Sequence, residues 1–309
     1  MRRRTFRITY TSMVCFLLIV FILCLFFQAT MGTGEPEKQK ELSVILYHTK
    51  NNGWESLQDG IKQAEDDFSV NINYVIMREG AHGEEQLKAI KREIENGADG
   101  ILLAVCDYED MLLSFIEKQF GVPVVMIESG LNEDSFPLIS ADNYSVGQRL
   151  GEEILKDFEG QEQPTVAVSY DGTGRDSVQL RRQGLLDALE GKAKVISMSV
   201  AMGGEKADVA AAFHKDGLLG LVEREGTVLE EAKVYGIGNT ADTVAALDQG
   251  KISKLIFQNE FNVGYLGVQA LLGKISGYEE IIPEIDYYCV SRQELYMAPY
   301  EQLLFPMIE

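Results

Sequence analysis

Asn52 and Trp54 stand two residues apart in a polar loop, an amide beside a large aromatic. Such a pair suits a small polyhydroxylated molecule: the ring covers C–H groups while the amide bonds hydroxyls. Regular patterns flank the loop within Leu42–Asp67, LSVILYHTKNNGWESLQDGIKQAEDD. Leu42–Tyr47 is an apolar run of strand length. From Trp54 the apolar residues fall at Leu57, Ile61, Ala64 and Phe68, the three-and-four spacing of one helix face. Strand, polar loop and helix make the first βα unit of an open α/β sheet. Ligands of such sheets sit outside the carboxyl ends of the strands. His48 and His214 also follow strands and are placed to face a cleft there.

Other chemistries find little support. Gly236, Gly238 and Ala241 make a G-x-G-x-x-A after a strand, but the acid expected about 20 residues on is not evident. Gly172 and Gly174 lack a phosphate-loop lysine, and no serine sits in a G-x-S-x-G elbow. Cys106 and Cys289 lie far apart, with no CxxC or Cys/His cluster, so they read as thiols and not as metal ligands. Neither an enzyme nor a cofactor is expected.

Met1–Tyr10 carries four arginines and no acid, and Met13–Phe27 is uncharged. This is a basic segment followed by an apolar one, an export signal or a signal anchor. Extended over Ile8–Ala29 the apolar stretch reaches the ~20 residues that a spanning helix needs. Cleavage signals after it are poor, so an uncleaved anchor is favoured, with the N-terminus in the cytoplasm and the remainder outside. Beyond residue 34 the chain holds 48 acidic and 24 basic residues, a net charge of −24. That argues against nucleic acid or an anionic membrane surface as partner.

After a charged linker at Thr33–Glu41, strands and helices alternate: Ile72–Met77, Glu84–Asn96, Gly100–Val105, Met111–Gln119, Gly121–Ile127 and Pro137–Ser140. A second set follows, with a helix over Val146–Phe158, a strand at Thr165–Ser169, a helix over Val178–Leu189 and a strand at Val195–Val200. Lys233–Ile237, Asp242–Leu247, Lys254–Phe257 and Val263–Ile275 close the series. Such alternation indicates βαβ units and parallel sheets. The strands are near-continuous Val/Ile/Leu runs, as expected where both sheet faces are covered.

The segments TKNNGWESLQDGIKQA, GADGILLAVCD, GVPVVMIES, LISADNYSVGQRLGEEI and AKVYGIGNTADTVAALDQGKISKLIFQNEFNVGYLGVQALLGKISG follow one another as in the type I periplasmic solute-binding proteins. In them the chain resembles the ribose-binding branch from Leu42 to Leu295. The resemblance implies an α/β fold of two lobes, each a doubly wound parallel sheet, behind an N-terminal transmembrane or signal helix. It implies lobes of residues 42–142 with 259–286 and of 143–258 with 287–309. Asp142-Asn143, Gln258 and EIDYYCVS mark the three crossings. One stretch departs: between Val195–Val200 and Lys233 too few residues remain for the family's helix, strand and helix. The second lobe is therefore expected to be short of about one helix, or to pack Ala207–Phe213 differently.

Carried over position by position, the resemblance implies that Asn52 and Trp54 contact a sugar, with Glu55 where a second aromatic is common. Glu128 matches an acid at a strand end, and Ser129 replaces the arginine that often follows. Asn143 and Gln258 match the crossing amides. In the second lobe Gln179 stands at an arginine position, Lys215 at an asparagine position, and Gly238 at an acid position with Asn239 beside it. The first lobe thus looks competent for a sugar, while Lys215 would suit an acidic group on a different ligand. The expected role is capture of a small polar solute, a sugar, for an ABC importer. The alternative is a sensory module with altered or lost sugar binding, partnering a sensor kinase ectodomain.

Overall fold

The computed structural model describes residues 13, 16–23, 38–107, 111, 121–131, 136–169, 174–223, 231–278, 282 and 284–305, the side chain of Asn52 excepted. Residues 1–39 and 40–309 form two separate units. In the first, residues 16–23 are helical and exposed. Among the described residues no helix is long and apolar enough to cross a membrane. Most of the expected signal or anchor lies outside the described residues, as does most of the helix expected over Met111–Gln119.

The second unit holds two sheets. The first has the order β2-β1-β3-β4-β5, formed by β1 (Glu41–Leu46), β2 (Asn71–Ile76), β3 (Gly100–Leu103), β4 (Val124–Ile127) and β5 (Leu138–Ile139), all parallel. Between them run α1 (Glu55–Phe68) and α2 (Gly83–Glu95). The chain then enters α3 (Asn143–Asp157), whose first turn is capped by the Asp142 carboxylate accepting from the Ser145 N–H.

The second sheet has the order β11-β10-β9-β8-β6-β7, built from β6 (Thr165–Val168), β7 (Lys194–Ser197), β8 (Val209–Ala212), β9 (Lys233–Ile237), β10 (Lys254–Gln258) and β11 (Tyr287–Ser291). Only β11 runs antiparallel, against β10. Its helices are α4 (Asp176–Leu189), α5 (Met198–Met202), α6 (Lys215–Val222) and α7 (Ala241–Asp248). After β10, α8 (Glu260–Ile275) returns to lie against α1, β3 and β4, and α9 (Tyr300–Leu304) ends the described chain.

The strand expected through Val200 stops at Ser197. The Ser197 hydroxyl accepts from the Val200 N–H and starts α5 instead. That helix has five residues, which is the shortage expected in the second lobe. Ala207–Phe213 supplies the buried strand β8, between β6 and β9. All four residues of β3, β4 and β8 are buried, because helices cover both sheet faces.

Glycines let the paired helices touch. A Cβ on Gly60 of α1 would lie 2.0 Å from the Phe261 carbonyl oxygen of α8. One on Gly147 of α3 would lie 1.9 Å from the Arg181 carbonyl oxygen of α4. Both close approaches fix residues that line the gap between the lobes.

Candidate functional site

The carboxyl ends of β1, β4, β9 and β10 and the starts of α4, α6 and α8 converge at that gap. Glu128 follows β4 and is buried, with a left-handed backbone (φ 62°) that a non-glycine residue rarely adopts. Its carboxylate accepts from the Tyr47 hydroxyl at 2.7 Å, from the Ser177 hydroxyl at 3.3 Å and from Arg181 Nη2 at 3.1 Å. Burial alone would raise its pKa. The Arg181 and Arg175 guanidiniums and the Tyr47 hydroxyl outweigh that and hold it below the ordinary value.

Arg181 is the hub of the second lobe's contribution. Its Nε donates to Asn143 Oδ1 at 2.7 Å and its Nη1 to the Phe213 carbonyl at 3.2 Å. Asn143 in turn donates to Ser140 Oγ at 3.1 Å. Arg175 lies over the Tyr47 ring, 4.4 Å from its centroid. Burial pushes the Tyr47 phenol far up, so it serves as a donor.

Trp54 is 1% exposed. Its indole N–H donates to the Tyr47 carbonyl at 2.8 Å, and the two rings meet edge to face at 4.7 Å. The Lys215 ammonium sits 4.4 Å from the centroid of the Trp54 ring, bonds the Gly53 carbonyl, and lies 3.8 Å from Glu260 Oε1. With its amide nitrogen toward Glu260, Asn239 donates to both carboxylate oxygens, at 3.0 and 3.2 Å. Burial raises the Glu260 pKa despite the neighbouring lysine. Gln258 Oε1 accepts from the Ala141 N–H at 3.0 Å and from Ser140 Oγ at 3.3 Å, tying the end of β10 to the first crossing. Two further bonds span the gap, one at each mouth: Asn51 to Asp242 at 2.8 Å, and the Lys50 N–H to Asp216 at 3.2 Å.

Of the residues singled out in the sequence, Trp54, Glu128, Ser129, Asn143, Lys215, Asn239 and Gln258 come together. Ser129 is buried and its hydroxyl accepts from the Ser177 N–H at 3.3 Å. Glu55 lines a cavity of about 490 Å³ at one mouth of the gap, whose wall it shares with Gly53, Asn239 and Glu260. Gln179 is exposed on α4, and its expected place is taken by Arg181. Asn52 belongs to a 3-10 turn; its side chain lies outside the description. Lys215, expected to suit an acidic group on a ligand, lies 3.8 Å from Oε1 of Glu260 in the chain itself. His48 and His214 line a cavity of about 300 Å³ at the other mouth.

Sequence reasoning passed over Tyr47, Arg175, Arg181 and Glu260. Arg181 had a visible signal: it falls on the α4 stripe Val178, Arg181, Leu185, Leu189, where an apolar residue belongs. Between the two mouths the central cavity measures about 20 Å³. That is room for about one water, against roughly 300 Å³ or more for a usual ligand site.

Residues 42–279 match the family described as periplasmic binding protein domain. The chain belongs to that family. Among solved structures it resembles a carbohydrate transporter solute-binding protein of Agrobacterium radiobacter in complex with D-arabinose. The TM-score is 0.77 at 18% identity, over 87% of this chain and 99% of that one. GanP, a glucose-galactose binding protein of Geobacillus stearothermophilus, gives 0.72 at 17% identity, over 84% and 99%. XylFII in its complex with LytSN gives 0.70 at 18%, over 82% and 98%. No curated protein matches the chain by sequence.

Proposed function

We propose that this periplasmic-type binding protein works outside the cytoplasm and closes its two lobes over a small polar solute, in class a sugar. The lobes are residues 42–142 with 259–286 and residues 143–258 with 287–309. The observation that carries this reading is the meeting, at the crossings, of buried charged and amide groups from both lobes: Glu128, Asn143, Arg181, Lys215, Gln258 and Glu260. Groups of this kind exchange bonds with hydroxyls at little net loss. The sugars bound by the similar solved proteins support the choice of class. The closed form would be presented to an ABC importer permease, with the N-terminal apolar segment as its membrane anchor.

A second reading has its own observation. The cross-gap groups bond one another, and the space directly between Glu128, Arg181 and Lys215 is about 20 Å³, the larger cavities lying at the two mouths. That favours a sensory module with altered or lost sugar binding, held by a membrane partner such as a sensor kinase ectodomain, and the XylFII–LytSN complex shows a protein of this fold held by a partner chain. A melting screen of the full-length chain against pentoses and hexoses separates the two. A ligand at about 100 times its Kd stabilises by about 2.7 kcal/mol. Such a shift supports capture, and a flat screen supports the second reading.

A further inference from the structure

Lys215 opens α6 on the second lobe, yet its ammonium group is seated among first-lobe groups. It bonds the Gly53 carbonyl, faces the Trp54 ring at 4.4 Å and lies 3.8 Å from the Glu260 carboxylate. Gly53 and Trp54 lead into α1, and Glu260 starts α8, which lies against α1. Lysine and glutamate here are each 8% exposed, so little water competes. An aromatic face, a carbonyl oxygen and a carboxylate around one nitrogen form a set that recognises a primary ammonium by cation–π contact and charge-assisted bonding.

The backbone around the lysine is cut to fit it. A Cβ on Gly53 would lie 2.9 Å from Lys215 Cδ. A Cβ on Gly238 would lie 3.0 Å from Lys215 Cβ and 3.1 Å from its Cα. Gly238 holds the strand-end position where the sequence resemblance implies an acid. Gly238 thus gives room to the backbone and Cβ at 215, and Gly53 gives room to the lysine stem.

We propose that the first lobe carries a primary-ammonium subsite made of the Gly53 carbonyl, the Trp54 ring and the Glu260 carboxylate, and that Lys215 fills it as a tethered ligand. The proposal rests on the reading of the gap as a closing cleft, not on sugar as the solute. The cleft is then held shut without solute. A molecule bearing its own primary ammonium, an amino sugar or a small amine, competes with Lys215 for the subsite.

Trp54 is the chain's only tryptophan, so its fluorescence reports on this subsite alone. In the full-length, unliganded protein Trp54 is expected to be shielded from acrylamide. Lys215→Ala should raise the quenching constant several-fold. Ethylammonium chloride should then restore shielding and raise the melting temperature of the variant, while sodium chloride at equal ionic strength does neither. The wild type, its subsite filled, should not respond. Lys215→Ser vacates the same space and is read in the same way should the alanine variant fail to fold. A freely quenched Trp54 in the wild type overturns the proposal by itself. So does a variant quenched like the wild type, or ethylammonium acting no differently from sodium, or equally on both proteins. A flat monosaccharide screen beside a positive ethylammonium response removes the sugar reading and leaves the subsite standing.

Discussion

Arg181→Ala strikes a buried guanidinium at the centre of the gap. The guanidinium makes three bonds, to Asn143, Phe213 and Glu128, and is 5% exposed. Breaking a buried ion pair by removing one partner costs about 3–5 kcal/mol, mainly because a charge is stranded. Glu128 keeps bonds from Tyr47 and Ser177 and the field of Arg175, so the lower end applies. A loss of about 3 kcal/mol should lower the melting temperature by roughly 6–12 °C in a protein of this size. The paired variant Glu128→Gln with Arg181→Met removes both charges and should recover much of the loss, since buried ion pairs are often replaceable by neutral groups at roughly no cost. The assay is denaturant unfolding of the wild type, Arg181→Met, Glu128→Gln and the paired variant as a double-mutant cycle, with Arg181→Ala measured beside them. A loss below about 1 kcal/mol for Arg181→Ala, or additive single losses, would refute the view of this pair as buried and coupled.

Three further outcomes follow from the geometry. Gly147→Ala would drive a methyl group to 1.9 Å from the Arg181 carbonyl oxygen, so α3 and α4 must separate; the expected cost is about 1–3 kcal/mol or more, read by urea unfolding. Glu128 has a pKa lowered in the fold, so its contribution is present above the ordinary carboxylate range and is lost as pH falls through the lowered value. Glu128→Gln should accordingly flatten the acid side of the stability–pH profile, measured by denaturant midpoints from neutral pH to about 3. Cys289 has its thiol pushed up to about 12 by burial, so iodoacetamide at mildly alkaline pH should label it slowly in the folded protein and readily once denaturant is added.

The fold was legible because the strands are apolar runs and the helices keep a three-and-four period, signals that tertiary context rarely overrides. Boundaries slipped where a polar side chain made a local choice. Ser197 ended a strand early by capping α5, a bond that periodicity does not register. The site was half legible. Trp54, Glu128, Asn143 and Gln258, singled out through the resemblance, lie buried together in the gap. Gln179 lies exposed, because one position on a helix turns a side chain by about 100° and two positions separate it from the inward-facing Arg181. Arg181 and Glu260 carry charge on buried helix faces, a contradiction of pattern that marks a site when no homologue is at hand. Lys215 was seen as a departure, but only its place in the folded chain shows that it meets the Gly53 carbonyl, the Trp54 ring and Glu260.

Across the gap the chain's own groups bond one another: Arg181 with Glu128, and Lys215 with the Gly53 carbonyl. Ser56 and Ala241 line opposite sides of one mouth. Spin labels placed at these two positions through unnatural amino acids, leaving the native cysteines untouched, would report the gap width by pulsed electron resonance. The unliganded wild type should give one short, narrow distance distribution, and the Arg181→Ala, Lys215→Ala double variant a longer and broader one. Identical distributions in the two proteins would contradict the account.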